Sequence, residues 1–252
     1  MKLRELLDEM KRVQIEKGTS MPFICGGTPR DKMLGRLDNI SDLDVTTGDK
    51  TVDYLSQEFA ESLKKKYNIT RKAMEDGHST IFVGNLKIDF SSNYVVPGID
   101  KILQSRGIAE PTPLQQEMYS RDFTCNSLLL SLDLTKIYDP TRQGVQDIKS
   151  KKIKTCLEPE ITLTHSRNRV VRSIYLSSKL GFEIDQSIID FVRNHPDTIK
   201  IGTDKALNEK LNEAFTRDPK RAAANLSKMN VWNYVPITEI MYPYYKGTIR
   251  AQ

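Results

Sequence analysis

Cysteine is scarce in this chain: Cys25, Cys125 and Cys156 are the three in 252 residues. They form no C-x-x-C pair and have no histidine at a metal-ligand interval, which argues against a zinc site and a disulfide framework. A reducing cytoplasm is the compartment expected from that usage. Long apolar runs are missing too. No window approaches the length of a membrane span, and Met1 to Lys17 sets Leu3, Leu6, Leu7, Met10 and Val13 among charges at helical spacing, without the unbroken apolar core of a signal peptide. Internal repeats and low-complexity tracts are absent. The excess of positive charge is small, 38 Lys+Arg against 33 Asp+Glu for a formal +5, which permits a polyanionic partner without demanding one. Basic residues gather at Lys64 to Lys66, Lys149 to Lys154 and Arg167 to Arg172. The first cluster reads as a solvated helix face, and only the third looks positioned for chemistry.

What the chain does have is Gly26-Gly27-Thr28-Pro29-Arg30-Asp31, followed by Asp42-Leu43-Asp44-Val45-Thr46-Thr47. A glycine pair before a basic side chain can expose backbone N–H groups to a polyphosphate. Two carboxylates at i and i+2 on a strand share a face and can share divalent metal, while Leu43 between them turns to the core. Together they point to metal-assisted nucleotidyl transfer, in which Mg²⁺ activates an attacking hydroxyl and stabilises departing pyrophosphate. Asp89 sits in a further apolar-rich segment. It reads either as a third acid beside Asp42 and Asp44 or as an exposed polar position on an alternating strand.

The length allows one large domain or two modest ones. The first half reads as mixed α/β, with strands at 21–25, 42–47, 69–72, 79–83 and 87–90 and helices at 31–36 and 52–66. Gly84-Asn85 forms the turn of a hairpin. The stretch from Tyr94 to Gln116, rich in Pro and Gly, reads as a long mobile connection, and Arg121-Asp122-Phe123-Thr124 opens a helix expected to run through Leu132. Beyond about Glu158 strand signals vanish, and helical periodicity fills 162–180, 185–194, 204–216 and 218–230.

In this order the pieces resemble the bacterial-type (class II) tRNA nucleotidyltransferase and poly(A) polymerase family, of the DNA polymerase β-like nucleotidyltransferase superfamily. The resemblance runs from about Met21 to Pro236. It is carried by Gly26-Gly27-x-x-Arg30-Asp31 with Leu34-Gly35-Arg36, Asp42-x-Asp44, Arg121-Asp122-Phe123-Thr124-x-Asn126, Asp139-Pro140 with Gly144 and Asp147, and Lys179-Leu180-Gly181-Phe182-Glu183-Ile184. It implies an α+β fold: a polymerase β-like head of mixed sheet with flanking helices over 1–155, then an all-α neck over 156–252. It implies two Mg²⁺ ions on Asp42 and Asp44, with Asp89 assisting the attacking hydroxyl. Nucleotide, ATP or CTP, is held by Gly26, Gly27, Arg30, Arg121, Asp122 and Asn126 and by Ser166, Arg169 and Arg172. The implied partner is RNA, a tRNA or another structured 3′ end, with no membrane.

Two positions depart from the family pattern. Where the family reads Glu-Asp-x-x-Arg and uses the carboxylate to recognise C or A, this chain has His165-Ser166-Arg167-Asn168-Arg169, and a hydroxyl replaces the carboxylate. Ser120 stands where an arginine normally precedes Arg121-Asp122, which removes one charge-assisted bond. The segment after Gly181 is expected to be too short for both the body and tail that grip tRNA, making this a compact form. Three readings stay open: nucleotide addition to an RNA 3′ end, transfer to a non-RNA acceptor, and a catalytically silent RNA-binding or assembly subunit.

Overall fold

The computed structural model describes residues 3–37, 40–91, 95–166, 168–199 and 204–249, and the chain divides into two compact units, Met1–Val145 and Gln146–Gln252. The first contains α1 (Leu3–Lys17), β1 (Phe23–Cys25), α2 (Gly27–Met33), β2 (Asp42–Thr46), α3 (Thr51–Lys64), β3 (Ile69–Ala73), β4 (Ser79–Val83), β5 (Leu86–Phe90), α4 (Ile99–Ser105), α5 (Pro113–Ser120), β6 (Leu129–Leu130) and β7 (Ile137–Tyr138). Its strands form one mixed seven-stranded sheet in the order β3-β4-β5-β2-β1-β6-β7. Antiparallel β1 and parallel β5 flank β2, with Asp44 opposite Cys25 on one side and Asp89 on the other.

Alternation decides what each sheet face carries. Leu43 and Val45 of β2, Ile88 and Phe90 of β5 and Ile24 of β1 are fully buried, and they pack with Leu6, Leu7, Met10 and Val13 of α1 and Val52, Leu55, Phe59 and Leu63 of α3. The apolar residues of both helices recur every three or four positions, so each turns one stripe to the sheet. Each large side chain buried there contributes about 1.5–3 kcal/mol. The residues between the buried ones, Asp42 and Asp44, are left to the opposite face.

Several elements differ from what periodicity alone suggests. The helix expected at 31–36 begins earlier, at Gly27. The expected mobile connection holds two helices, α4 and α5, although Tyr94 itself lies outside the described residues. Pro111-Thr112-Pro113, which resembles a loop, is a helix start: Thr112 and Gln115 form a capping box and Pro113 occupies the first turn, where its missing N–H costs nothing. The helix expected from Arg121 to Leu132 is one 3₁₀ turn, Thr124–Asn126, followed by strand β6. There the Asp122 side chain accepts from the Phe123 N–H and Ser127 Oγ donates to the Phe123 carbonyl, so side chains take the local backbone partners.

α6 (Gly144–Lys149) crosses the division, and the second unit continues with β8 (Lys152–Ile153), α7 (Pro159–His165), α8 (Asn168–Leu180), β9 (Glu183–Ile184), α9 (Gln186–Asn194), α10 (Lys205–Arg217), α11 (Pro219–Met229) and α12 (Tyr242–Ile249). It is a run of helices with one short parallel ladder, β8 with β9, which lies beyond the point where strand signals fade. That ladder draws Lys152 and Ile153 into the second unit's packing. The helix expected over 162–180 is two helices, with Ser166 extended between them. Val170, Val171 and Ile174 of α8 are buried, and α8 packs on α10 and α11, where Asn225 Nδ2 donates to Ser177 Oγ at 3.0 Å. Among the described residues no helix is long and apolar enough to cross a membrane. The whole is a mixed β-sheet head flanked by helices, followed by an α-helical region.

Gly144 begins α6 with no room for a side chain: a Cβ would lie 2.5 Å from the Thr124 carbonyl oxygen and 2.9 Å from Leu128 Cδ2. A backbone carbonyl cannot step aside cheaply, so Gly144→Ala is expected to lower unfolding free energy by about 1–3 kcal/mol, the usual cost of overpacking. Equilibrium urea unfolding measures it.

Candidate nucleotidyl-transfer site

Two acids of β2 and two residues of β5 make a four-cornered group on the sheet face opposite α1 and α3. Asp42 lies opposite Lys87 and Asp44 opposite Asp89. Asp42 is exposed and Asp44 half-buried. Asp89 is held at both oxygens: Thr80 Oγ1 donates to Oδ1 at 2.6 Å, and Lys87 Nζ donates to Oδ2. The same ammonium lies 3.7 Å from Asp42 Oδ1. The bond to Asp89, followed by the charges of Asp42 and Asp44, holds Lys87 above the ordinary lysine value despite partial burial. Asp44 is displaced the other way for an acid: burial pushes its carboxyl up, Arg121 draws it down, and the like charges of Asp42 and Asp89 push it further up.

The glycine turn closes on this group. Gly26 has φ 68° and ψ −131°, a backbone state that side chains avoid, and a Cβ there would sit 2.1 Å from Asp44 Oδ2. Glycine is required at Gly26 on both counts. Gly27 follows with its Cα against Arg30, whose Nη2 would lie 3.0 Å from an added Cβ.

Arg30 is buried beneath the turn, 2% exposed, and its donors are engaged. Nε and Nη2 reach the two oxygens of Asp31 at 2.9 and 3.1 Å, and Nη1 donates to Asn126 Oδ1. Asn126 in turn donates to Asp122 Oδ1 at 3.4 Å. These four residues tie α2 to the 3₁₀ turn after α5. Arg121 reaches β1 instead: one Nη2 donates to Cys25 Sγ and to Glu117 Oε1, both at 2.9 Å. Burial raises the Cys25 thiol, against the pull of Arg121, and keeps it neutral. Glu117 is buried and also accepts from Thr46 Oγ1 of β2 at 2.5 Å. Arg121 Nε is buried with no hydrogen-bond partner, a donor left over beside the acids that pull on it. Ser120 is fully buried, donates to the Gln116 carbonyl one turn back in α5, and fastens α5 to the segment before α4 by accepting from the Val96 N–H at 2.9 Å. A hydroxyl suits that place and a long cation does not.

Gly26, Gly27, Arg30, Asp42, Asp44, Asp89, Arg121, Asp122 and Asn126 therefore come together within the first unit. Ser166, Arg169 and Arg172 belong to the second. Ser166 is half-buried at the end of α7, and Arg169 is buried with Nη1 donating to the Thr162 carbonyl at 3.0 Å, while Arg172 is exposed on α8. Burial, then the nearby Arg169, lowers His165 below the ordinary imidazole value and keeps it neutral. Lys87 and Glu117 were not singled out from sequence, although each had a signal. Lys87 stands two before Asp89 on a strand, and Glu117 stands four before Arg121 on a helix.

Asp42 and Asp44 offer hard oxygen donors, and the desolvated Asp44 among like charges is a group that a divalent cation relieves, so the pair suits Mg²⁺. Among the described residues no group of three or more His, Cys, Asp or Glu side chains is arranged to hold a metal ion.

A family model described as the poly A polymerase head domain matches residues 22–154. Among curated relatives, the tRNA nucleotidyltransferase cca2 of Schizosaccharomyces pombe is 29% identical over 221 residues, 81% of this chain and 44% of the relative. The CCA-adding enzyme of Staphylococcus aureus is 23% identical over 90% of this chain and 54% of the relative. The solved Thermotoga maritima CCA-adding enzyme complexed with tRNA shares the fold, with a TM-score of 0.69 at 19% identity over 98% of this chain and 56% of that one. The chain spans about half the length of the relatives it matches.

The raised Asp44 gives stability a defined pH dependence. Its unfolded value is the ordinary one, 3.8, and its folded value is higher, so the folded state binds the extra proton between the two. Stability from this group is therefore fully present below 3.8 and falls as pH rises through the folded value. Without divalent metal, Asp44→Asn is expected to unfold at higher temperature than the parent at pH 7, with the gap closing as the pH approaches 3.8. Calorimetric scans across pH measure the gap.

Proposed function

Because the chain belongs to the poly A polymerase head-domain family, we propose that it is a template-independent nucleotidyltransferase that joins nucleotides from ATP or CTP to an RNA 3′ end, a tRNA or a similar structured RNA. The observation that carries this reading is the pair Asp42 and Asp44, set on the sheet face opposite α1 and α3 against a glycine turn that admits no side chain. In the proposed reaction the 3′ oxygen forms a bond to the α-phosphorus of the triphosphate. The bond to the β-phosphate bridging oxygen breaks, pyrophosphate departs, and the hydroxyl proton passes to solvent.

Asp42 and Asp44 would hold Mg²⁺. When bound there, the ion supplies acidity to the attacking hydroxyl and charge neutralisation to the pyrophosphate. Gly26 and Gly27 present the backbone on which the triphosphate rests, and Arg30, Asp31, Asp122 and Asn126 fix that turn from below. The spare Nε of Arg121 is the donor proposed to meet phosphate oxygens, with Glu117 and Cys25 holding its other end. Base selection is assigned to Ser166, Arg169 and Arg172. Two relatives' names, and the tRNA in a solved complex of similar fold, support RNA as acceptor.

Incubation of the protein with each radiolabelled ribonucleoside triphosphate and a mixed RNA pool tests the reading. RNA extension is expected, and label on protein or small molecules would replace RNA with another acceptor. Asp42→Ala and Asp44→Ala should each reduce transfer to below a few per cent of the parent while the fold persists. Transfer retained by both variants removes the metal assignment.

Base choice is the finer test. With a hydroxyl at Ser166 the pocket lacks a strong acceptor for the exocyclic amine of C and A, so selection against U and G should be weak. Ser166→Asp is expected to shift kcat/KM toward C or A by on the order of tenfold, the worth of one good polar contact. Strict selection unchanged in that variant would move base recognition to another residue.

A further inference from the structure

The acid face carries a cation for which neither the family match nor the proposed reaction has a use. Lys87 lies opposite Asp42 in the parallel ladder and two residues before Asp89 on β5, so register alone puts its ammonium among the three acids. It donates to Asp89 Oδ2 and stands 3.7 Å from Asp42 Oδ1. Thr80 Oγ1 occupies the other oxygen of Asp89. Asp89 is thus spoken for at both ends, whereas Asp42, with 61% of its side chain exposed, meets the ammonium only at longer range.

We propose that Lys87 is a built-in counter-ion that competes with divalent metal for Asp42 and keeps Asp89 out of the metal's ligand set. The proposal rests on the metal role assigned above to Asp42 and Asp44. Its physical basis is charge balance. Three carboxylates on neighbouring strands repel when no cation is present, and an ammonium anchored on one of them offsets the repulsion at all times. The same anchoring has an opposite effect on loading. A divalent ion at Asp42 meets a like charge a few ångströms away, and Asp89, with one oxygen held by Lys87 and the other by Thr80, has both oxygens turned to other partners. The site then holds its ion through two acids, with affinity set partly by Lys87. Specificity follows as well: a small, strongly charged divalent ion can outcompete an ammonium for a carboxylate, whereas a monovalent ion gains little over it.

Mn²⁺ serves as the probe, with free ion followed by its paramagnetic resonance signal, so no catalytic turnover enters the measurement. The parent chain is expected to bind weakly and Asp44→Asn more weakly still. Lys87→Met, which keeps length and removes charge, should bind roughly tenfold more tightly, the order expected from removing one like charge at this range near a surface. Lys87→Gln provides a second neutral variant and should move the same way, while Lys87→Arg, which keeps the charge, should match the parent. With 41% of the Lys87 side chain exposed, these variants are expected to fold, and circular dichroism checks it. Unchanged or weaker Mn²⁺ binding in both neutral variants, with Asp44→Asn still impaired, overturns the role of Lys87 and leaves the metal assignment standing. Binding in the parent that Asp44→Asn leaves unaltered overturns both.

Discussion

Everything in the first unit depends on the two-residue alternation of β2. Leu43 and Val45 are committed to the layer beneath α1 and α3, and a slip of one residue would expose both and bury two carboxylates. The hydrophobic core therefore aims the acids. It also fixes their neighbours, because β5 pairs in parallel with β2 and is itself anchored by Ile88 and Phe90 in the same layer. Asp89 and Lys87 reach the acid face by that route.

A second layer of control is polar and lies around α5. Thr46 at the end of β2 and Arg121 at the end of α5 share one buried carboxylate, Glu117. A buried acid with both oxygens paired is tolerable, and losing either partner would leave charge stranded. The Gly48 N–H donates to Thr46 Oγ1 at 2.9 Å, so the turn after β2 is drawn into the same arrangement. Arg30 plays a comparable part beneath the glycine turn. Both arginines have the residue type and sequence position expected of phosphate ligands, yet Arg30 spends Nε, Nη1 and Nη2 on protein groups and Arg121 spends Nη2, while Arg121 Nε is buried without a partner.

The strands up to Phe90, the hairpin at Gly84-Asn85 and the largely helical second half were legible in the sequence because each rests on short-range periodicity, whereas the sequence left open whether Asp89 joins Asp42 and Asp44, and the register places it opposite Asp44. What escaped depends on partners distant in the chain or on capping chemistry that resembles a loop. Proline and threonine at 111–113 carry loop composition but act as a cap. The helical pattern after Arg121 yields to side-chain bonds within the turn and to strand pairing of Leu130 with Ile24. The division between α7 and α8 falls at the serine that breaks the family pattern, where periodicity runs on but the backbone does not. Lys87 was overlooked for a different reason: nothing in the sequence links it to an acid as distant in the chain as Asp42, and only the register reveals the acids around it.

The bonds from Arg30 to Asn126 and from Arg121 to Cys25 each span 96 residues of chain. They run between the same two segments, the glycine turn and the turn after α5, so closing one loop brings the second pair within reach at little further entropic cost. The two long-range ties are thereby expected to form and break as one cooperative event. Contacts of such sequence separation come late in folding, after local helices and hairpins have formed. A nascent chain that has not yet delivered residues 121–126 therefore has the acids of β2 but neither the arginine that steadies them nor β6, the strand that pairs with β1.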